Sequence, residues 1–488
     1  MKKQMLCLLI ACAMIFMIFC SCAQQPSQTL TAGTNELTDI AASDDTAEAE
    51  VTPDVPDITF DGMKFRVLVY QGLDPTLDSR DFYTDDSSAG EMIYEAVMNR
   101  DAYIEEKYKV EIEVTGVKDV VGTARKSISA GSDEYEMIMP FIDQAFSLAQ
   151  DNLLIELHNV DYLDLSKPWW DKAIERDLAI NGKLYFTTGS ISVMDEELNM
   201  GVAFNKTLAA KNNINPYPLV EDKKWTFDAM YTLSKGITHD DNGDGKYDTH
   251  DTWGIGHSLD CAYEMFFGAG VKIASINAEG KPELTVNSSR AVAVMDKLCE
   301  IYHEPNAVGT VEHFGGWEAL NQMMVDGKIL FRPANIYNLR QYLQMVDEFG
   351  MLPMPMLDDE QDSYYHIVLT NGCAGVCIPS TNSDLEMTGI LLEELSYYGG
   401  KVVTPKYYDS YIKYRVSTDE DTGRMFDIIF STKTYDIGKV FGWGNIISSV
   451  ITKTIVAGSG FASNYEAVQS SAQKALDTTY EQMVSIKD

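Results

Sequence analysis

The feature that most constrains the fold is an alternation of strand and helix patterns between residues 64 and 140. Residues 64–70 (KFRVLVY) and 110–114 (VEIEV) alternate polar and apolar side chains as strands do. Between them, apolar side chains recur at helical spacing: Met92, Ile93, Ala96, Val97 and Ile104. A second helix pattern then leads to a third strand, YEMIMP. This order predicts an α/β lobe with a largely parallel sheet, in which residues that follow strands are candidates for ligand contact.

The length of the chain indicates a second lobe. Its 488 residues exceed what one hydrophobic core usually serves, and 45% of them are hydrophobic. We find no internal repeat of solenoid period. Further helical periods occupy residues 146–157, 226–237, 288–302, 317–326, 385–398 and 444 to the C-terminus.

The N-terminus carries an export signal. Lys2 and Lys3 precede a short apolar run, and small residues follow it, which is typical of a secretory signal over residues 1–22 and not of a membrane span. Phe19-Cys20-Ser21-Cys22 resembles the lipobox of bacterial lipoproteins. That resemblance implies lipidation of Cys22, with Cys20 as a competing site, and the alternative is ordinary secretion. Residues 23–57 contain no Lys or Arg and are predicted to be a disordered acidic linker.

Charge and cysteine content exclude some functions. The formal charge is −36, which disfavours binding of nucleic acid through its phosphates. Four cysteines lie beyond the signal, and we expect them to be structural thiols: Cys261, Cys299, Cys373 and Cys377. On one extended strand Cys373 and Cys377 would be too far apart for a disulfide, and no second Cys/His pair has zinc-site spacing.

Residues 240–251 match the twelve-residue calcium-loop pattern. Oxygen-bearing side chains stand at the first, third, fifth, ninth and twelfth positions, with glycine at the sixth and a backbone carbonyl expected from the seventh. The predicted ligands of a structural Ca²⁺ are Asp240, Asn242, Asp244, Lys246 (carbonyl), Asp248 and Asp251. We expect a helix that begins after the N-cap Thr226 to precede the loop, and an extended segment, 252–255, to follow it. An acidic Asn/Gly turn is the alternative interpretation.

Four short blocks resemble one protein family. Asn181-Gly182-Lys183-Leu184-Tyr185-Phe186, followed by Phe204-Asn205-Lys206, is similar to the "GKLY, then YNK" segment of extracellular solute-binding proteins of family 1, the maltose-binding-protein-like group. The other blocks, in the same order as in that family, are Trp225-Thr226-Phe227-Asp228, Asp326-Gly327-Lys328 and Gly350-Met351-Leu352-Pro353-Met354-Pro355. Together they span roughly residues 60–480.

The resemblance implies a two-lobed, periplasmic-binding-protein-like (type 2) fold with an interlobe ligand cleft. The first crossover between the lobes would lie near residues 198–205 and the second at 373–379. Lobe 1 would then comprise residues 58–198 and 372–432, and lobe 2 residues 199–371 and 433–488.

The resemblance also places four loops at the cleft. The expected ligand contacts are Phe141, Asp143, Gln144, Ser192, Asp195, Asn335, Tyr337 and Trp443, with Glu196 beside Asp195. A core position is the alternative for Trp443, and loop capping is the alternative for Asp143, Asp195 and Asn335. Trp169 and Trp170 are predicted to pack, and Trp225 and Trp317, at helix starts, are predicted to be core.

These features predict a lipid-anchored, extracytoplasmic receptor that delivers a carbohydrate, an oligosaccharide in our interpretation, to an ABC transporter permease. It would be a monomer at the bacterial cell membrane, and it would neither bind nucleic acid nor catalyse a reaction. A peptide or polyamine binder is one alternative. A secreted glycoside hydrolase that uses Asp195-Glu196-Glu197 is another. The sequence contains no HExxH, G-x-S-x-G or P-loop motif.

Overall fold

The structure is a computed structural model that describes residues 50–84, 93–409 and 420–486. The expected signal with Cys22, and the linker as far as residue 49, lie outside the described residues. Residues 52–488 form one compact unit. None of the helices in the described ranges has the length and apolarity needed to span a membrane.

The first sheet contains three parallel strands in the order β2-β1-β3: β1 Met63–Tyr70, β2 Val110–Val117 and β3 Met137–Ile138. Val67 pairs with Val114 on one side and with Met137 on the other. The alternating pattern of β1 buries Phe65 and Val67. A later segment joins the sheet in the antiparallel direction, because Cys377 pairs with Ile138 and Val376 with Thr187. The α/β lobe expected here is therefore present.

The second sheet has the order β10-β4-β9-β5-β8. Strand β4 is antiparallel to β9 and β10, whereas β5 is parallel to β8 and β9. All six residues of β4 are buried. These strands span Met200–Asn205 (β4), Trp253–His257 (β5), Val308–Thr310 (β8), Ile329–Asn335 (β9) and Phe349–Leu352 (β10). The remaining strands are Ala274–Ile276 (β6), Pro282–Leu284 (β7), His366–Ile367 (β11) and Lys433–Thr434 (β12).

Helices surround both sheets. In the first half they are α1 Tyr94–Tyr108, α2 Val120–Ser129, α3 Ile142–Gln150, α4 Lys172–Leu178, α5 Met194–Glu197, α6 Lys206–Lys211, α7 Tyr217–Glu221 and α8 Phe227–Ser234. They continue with α9 Tyr263–Gly268, α10 Ser289–His303, α11 Val311–Phe314, α12 Trp317–Val325 and α13 Leu339–Tyr342. The last five are α14 Leu385–Tyr407, α15 Glu420–Ser431, α16 Ile437–Phe441, α17 Lys453–Ala457 and α18 Phe461–Ser485. Short 3₁₀ turns occupy Leu157–Asn159, Ile336–Asn338 and Trp443–Asn445, and a π-helical turn occupies Ile447–Thr452.

The chain crosses between the sheets at paired segments. Asn199 pairs with Val368, and the Leu369 amide donates to the Leu198 carbonyl at 3.0 Å. The return passage thus lies before residues 373–379, which belong to the first sheet. Strands β11 and β12 pair in parallel next to this crossing, so a third segment takes part in the connection.

One predicted lobe boundary is wrong, and one further segment contacts both lobes. Helix α15, which we assigned to lobe 1, packs against β10 of the second sheet; Thr422 bonds Tyr217 at 2.7 Å, and Arg424 pairs with Glu221 at 2.7 Å. The C-terminal residues do not belong to lobe 2 alone. In α18, Gln482 accepts a hydrogen bond from Gln150 of α3, the helix that follows β3 of the first sheet.

Candidate binding cleft

A cavity of about 240 Å³ lies at the carboxyl ends of β5 and β9. Strand β5 ends at His257 and β9 at Asn335, and both residues line the cavity. The other polar groups that line it include Glu264, Asn321, Arg332 and Asn338. Parallel strands place their carboxyl ends, and hence the groups that follow them, at one sheet edge, where α/β proteins bind ligands. The cavity is therefore the candidate binding cleft.

Trp317 provides the exposed aromatic surface of this cleft. It is 46% exposed, and the Arg332 guanidinium lies 5.9 Å from its ring centroid. The prediction that Trp317 is core was wrong. Helical side chains tilt toward the N-terminus, so a residue in the first turn extends past the end of its helix, whereas Leu320 and Met324 supply the buried side.

Trp443 occupies the core instead, which corrects its predicted role in stacking. It is 3% exposed, and Phe441 covers one face of the indole at a centroid distance of 4.9 Å and an interplanar angle of 2°. Its Nε1 donates to Thr479 Oγ1 of α18 at 3.0 Å. The indole therefore presents no free face to a ligand. Trp225, Trp169 and Trp170 are buried, as predicted.

Of the two residues expected after β9, Asn335 lines the cavity and Tyr337 lies two residues further along the chain. Asn335 lines the cavity and also accepts a hydrogen bond from the Asn338 amide at 3.1 Å. Tyr337 is half-buried between two arginines, with Arg80 at 5.1 Å and Arg340 at 5.0 Å from its ring centroid. Asn335 therefore both caps the turn that follows β9 and faces the cleft.

Arg80 and Arg340 share one carboxylate. Each pairs with a different oxygen of Glu197, which is fully buried in α5. Arg80 follows β1 of the first sheet, whereas Arg340 follows β9 of the second. This group therefore links the ends of strands from both sheets across the short helix at the first crossover.

The residues expected after β3 form their own cluster. Phe141 is buried and stacks on Tyr70 at 4.1 Å, and Gln144 accepts a hydrogen bond from the Tyr70 hydroxyl. Burial raises the pKa of Asp143, while Lys439 and Thr370 oppose the rise. Burial, and then the neighbouring Glu264 and Cys261, raise the pKa of Tyr263, and Asp143 adds to this rise.

Ser192 and Asp195 lie away from the cavity. Ser192 Oγ donates to Asp81 Oδ2 at 2.8 Å, and Asp195 accepts from Lys433 Nζ at 2.6 Å. Lys433 also reaches Glu196 at 3.1 Å and Asp171 at 3.3 Å. Burial raises the pKa of Glu196 to about 7, with Lys433 opposing the rise. These groups surround a second pocket at the crossover, which Trp170 and Tyr408 also line.

Sequence reasoning missed several cleft residues. Arg332 was the most detectable, because it interrupts an otherwise apolar strand, ILFRPAN. His257 and Glu264 carry no comparable signal, since isolated histidines and glutamates are common. Arg80 and Glu197 become functional candidates only through their shared position at the crossover.

The predicted calcium loop follows α8, whose N-cap Thr226 accepts from Ala229 as expected, and precedes β5. Its side-chain oxygens accept backbone amides within the loop: Asp240 from Gly243 and Gly245, and Asp251 from Asp241 and Asp248. Gly245 adopts the positive φ of 77° that the sixth position requires. Within the described ranges, no three His, Cys, Asp or Glu side chains converge on a metal position. Calcium binding remains a prediction.

The four cysteines of the described residues, Cys261, Cys299, Cys373 and Cys377, are free thiols, as expected.

No protein-family model and no curated protein matches the sequence. Among solved structures, the chain is similar to a cyclo/maltodextrin-binding protein complexed with maltotetraose, with a TM-score of 0.56 and 14% identity. The match covers 90% of this chain and 98% of that chain. The similarity shows the two-lobed, periplasmic-binding-protein-like fold that the sequence predicted.

Proposed function

We propose that this chain is an extracytoplasmic solute-binding protein that takes a carbohydrate in the cleft and performs no chemistry on it. The observation that carries the proposal is the cavity at the ends of β5 and β9, which combines the exposed Trp317 with converging amide and charged groups. The apolar face of a sugar ring stacks on an indole, and its hydroxyl groups need planar donors and acceptors. The similar protein of known structure was solved with maltotetraose.

Binding would couple to closure of the lobes. A ligand that contacts groups from both lobes favours the closed state by its differential affinity for it. The Arg80–Glu197–Arg340 group links the two sheets and contacts Tyr337, two residues after the cavity residue Asn335, so a ligand that extended from the cavity to Tyr337 would contact side chains held by both lobes.

Delivery to a permease is a further part of the proposal. Its support comes from the sequence: the signal, lipidation at Cys22 and the acidic linker 23–57 would tether a monomeric receptor outside the membrane, where an ABC transporter permease could bind the closed form.

A calcium ion in the loop 240–251 would stabilise the fold locally. It would be held by the carboxylates and the amide of the loop and by the Lys246 carbonyl.

The three carboxylates that could serve a glycoside hydrolase, Asp195, Glu196 and Glu197, all form ion pairs with basic side chains. Glu197 is held by two arginines, and Asp195 and Glu196 contact Lys433. That arrangement favours a binding role over a pair of carboxylates that flank a glycosidic bond. The peptide and polyamine alternatives have no particular group in the cavity that favours them.

The test is calorimetry of the mature protein with a panel of neutral and acidic oligosaccharides, peptides and polyamines, followed by chromatography of each mixture. We expect saturable binding of a saccharide, with the saccharide recovered intact. Binding restricted to peptides or polyamines would contradict the carbohydrate assignment, and shortened saccharides would contradict the binding-only role.

A further inference from the structure

Arg332 is a buried cation without a carboxylate partner. It is 3% exposed, and no carboxylate oxygen of the described residues lies within 4.0 Å of its guanidinium. One terminal nitrogen, Nη1, donates to the Pro333 carbonyl. The other, Nη2, is 3.5 Å from Asn321 Oδ1, and Nε has no partner. Because a charge removed from water is costly unless it is paired, this arrangement is unusual.

A shortage of acidic residues does not explain the missing partner. The chain has 74 Asp and Glu against 38 Lys and Arg. Glu264 lines the same cavity, but its nearest ionic partner is His257 Nε2 at 3.5 Å. Arg332 lines this cavity with Nε free of any hydrogen-bond partner and with Nη2 held only by the long contact to Asn321.

The surroundings of the cavity also favour an anion. Three guanidinium groups, those of Arg332, Arg80 and Arg340, are accompanied by the two carboxylates Glu197 and Glu264. Tyr337, which contacts two of these arginines, lies between Asn335 and Asn338 of the cavity wall. In this strongly acidic chain, the cavity wall thus holds one arginine beside one carboxylate, and two further arginines that share a single carboxylate contact the neighbouring Tyr337.

We infer that the saccharide bound by this cleft carries a carboxylate, as a uronate unit does, and that Arg332 binds this group through Nε and Nη2. This inference rests on the proposed function and narrows its ligand to acidic sugars. The side-on pairing of a guanidinium with a carboxylate places two parallel N–H donors on two oxygens, which gives strength and orientation together. The sugar ring would then stack on Trp317, which flanks Arg332.

The test compares acidic with neutral oligosaccharides of equal length by calorimetry on the mature protein. The probes are oligogalacturonates, oligomannuronates and oligoguluronates against galacto-, manno- and malto-oligosaccharides. We expect at least one uronate to bind about 10-fold or more tightly than every neutral probe, with an affinity that falls as salt rises. Neutral probes that bind as tightly as any uronate would overturn the inference and leave the proposed function standing. No saccharide binding of either kind would overturn the proposed function itself.

Variants separate the role of Arg332 from general stability. Arg332→Gln should weaken the uronate about 10-fold or more and change the affinity for a neutral probe less than about threefold. Arg332→Lys keeps the charge and loses the paired donors, so its affinity for the uronate should lie between those of the wild type and Arg332→Gln. The matched control is Arg424→Gln, an exposed arginine of α15 paired with Glu221, and it should bind as the wild type does.

Thermal melting provides the second readout. Removal of an unpaired buried charge should leave the midpoint of Arg332→Gln unchanged or raise it. An equal loss of affinity for acidic and neutral probes, together with a lower midpoint, would assign Arg332 a structural role and overturn the inference. If the variant fails to fold, the preference of the unmodified protein for acidic over neutral oligosaccharides is the test of the inference.

Discussion

Trp317 and Trp443 have similar local sequences and opposite positions. Trp317 follows Gly315 and Gly316, and Trp443 stands between Gly442 and Gly444. What separates them is the partner that covers each ring. Trp443 is covered by Phe441 and bonded to Thr479, whereas Trp317 extends beyond the first turn of α12.

This difference gives a paired prediction. Trp317→Ala should weaken saccharide binding by about 1 kcal/mol or more and change the free energy of unfolding by no more than about 0.5 kcal/mol. Trp443→Ala should reduce the free energy of unfolding by about 3 to 5 kcal/mol, because it leaves a cavity beside Phe441. Calorimetry and urea unfolding of both variants supply the two measurements. If Trp443→Ala weakened saccharide binding and Trp317→Ala lowered the free energy of unfolding, Trp443 would be the residue that contacts the ligand.

Glu393 gives a prediction about pH. Burial raises its pKa to about 7, while the Trp170 indole, which donates to Oε2 at 2.8 Å, and the Asp164 amide oppose the rise. Between the ordinary pKa of 4.5 and about 7, the folded protein holds a proton that the unfolded chain has released. The contribution of Glu393 to stability is therefore complete below pH 4.5 and decreases as the pH rises through this window.

The variant Glu393→Gln keeps an acceptor for Trp170 and removes the titration. Relative to this variant, the wild type should lose up to about 3 kcal/mol of unfolding free energy between pH 4.5 and pH 7.5. Urea unfolding of both proteins across this range measures the difference. Glu386→Gln, an exposed glutamate on the same helix, is the control. A constant difference between wild type and Glu393→Gln would show that Glu393 does not titrate in this window.

At the residue scale, the family resemblance implied Asn335, Tyr337 and the Phe141–Gln144 group as ligand contacts, and the structure confirms that each ends or follows a strand. Ser192 and Asp195 were also predicted as ligand contacts. The sequence could not reveal that they bond Asp81 and Lys433, because these partners are distant in the chain. Arg332 could have been found as a charge within an apolar strand.

At the scale of elements, prediction was good where one pattern ran without interruption. The strand at residues 64–70 became Met63–Tyr70, and the helix at 288–302 became Ser289–His303. The helix expected at 146–157 is Ile142–Gln150, because Asn152 has a positive φ of 56° and Leu154 pairs with Pro379.

Helix α14 was longer than predicted. It was expected at residues 385–398, yet it continues past two glycines to Tyr407. A Cβ at Gly399 would lie 2.2 Å from the Ser190 carbonyl oxygen, so the glycine permits close approach of the backbones. Tertiary contact therefore explains a residue that looked like a helix end.

The calcium loop makes a prediction at this scale. If the loop binds Ca²⁺ with the dissociation constant of about 10⁻⁴ to 10⁻³ M typical of extracellular modules, 10 mM Ca²⁺ should stabilise the fold by about 1.4 to 2.7 kcal/mol. Thermal melts with Ca²⁺ and with excess chelator measure this effect. Asp244→Ala should abolish it, and Asp222→Ala, exposed and outside the loop, should not. Equal midpoints with Ca²⁺ and chelator in the wild type would remove calcium from the proposal.

For the whole molecule, the two-lobed fold could be predicted from the order of four short blocks, whereas the lobe boundaries could not. The boundary near residue 432 depended on which sheet α15 covers. That choice is made by Tyr217 and Glu221, about 200 residues earlier in the chain. Contacts between segments so distant in sequence leave no local pattern.

The interlocked crossings predict how the molecule unfolds. Helix α18 contacts α3 beside the first sheet and also packs with β7 and α10, and paired segments join the sheets at Asn199 and Val368. We therefore expect a single calorimetric transition whose measured enthalpy equals the van't Hoff enthalpy. Two resolved transitions in differential scanning calorimetry would show that the lobes unfold independently.

The late position of α18 in the sequence has a consequence for folding during synthesis. Phe461, Tyr465, Leu476 and Met483 of this helix are all buried, so the core beneath it is incomplete until this helix has been synthesised. A nascent chain that lacks them exposes this apolar surface and cannot reach its full stability. Until α18 has been made, the unfinished chain would therefore stay open to any partner that binds unfolded segments.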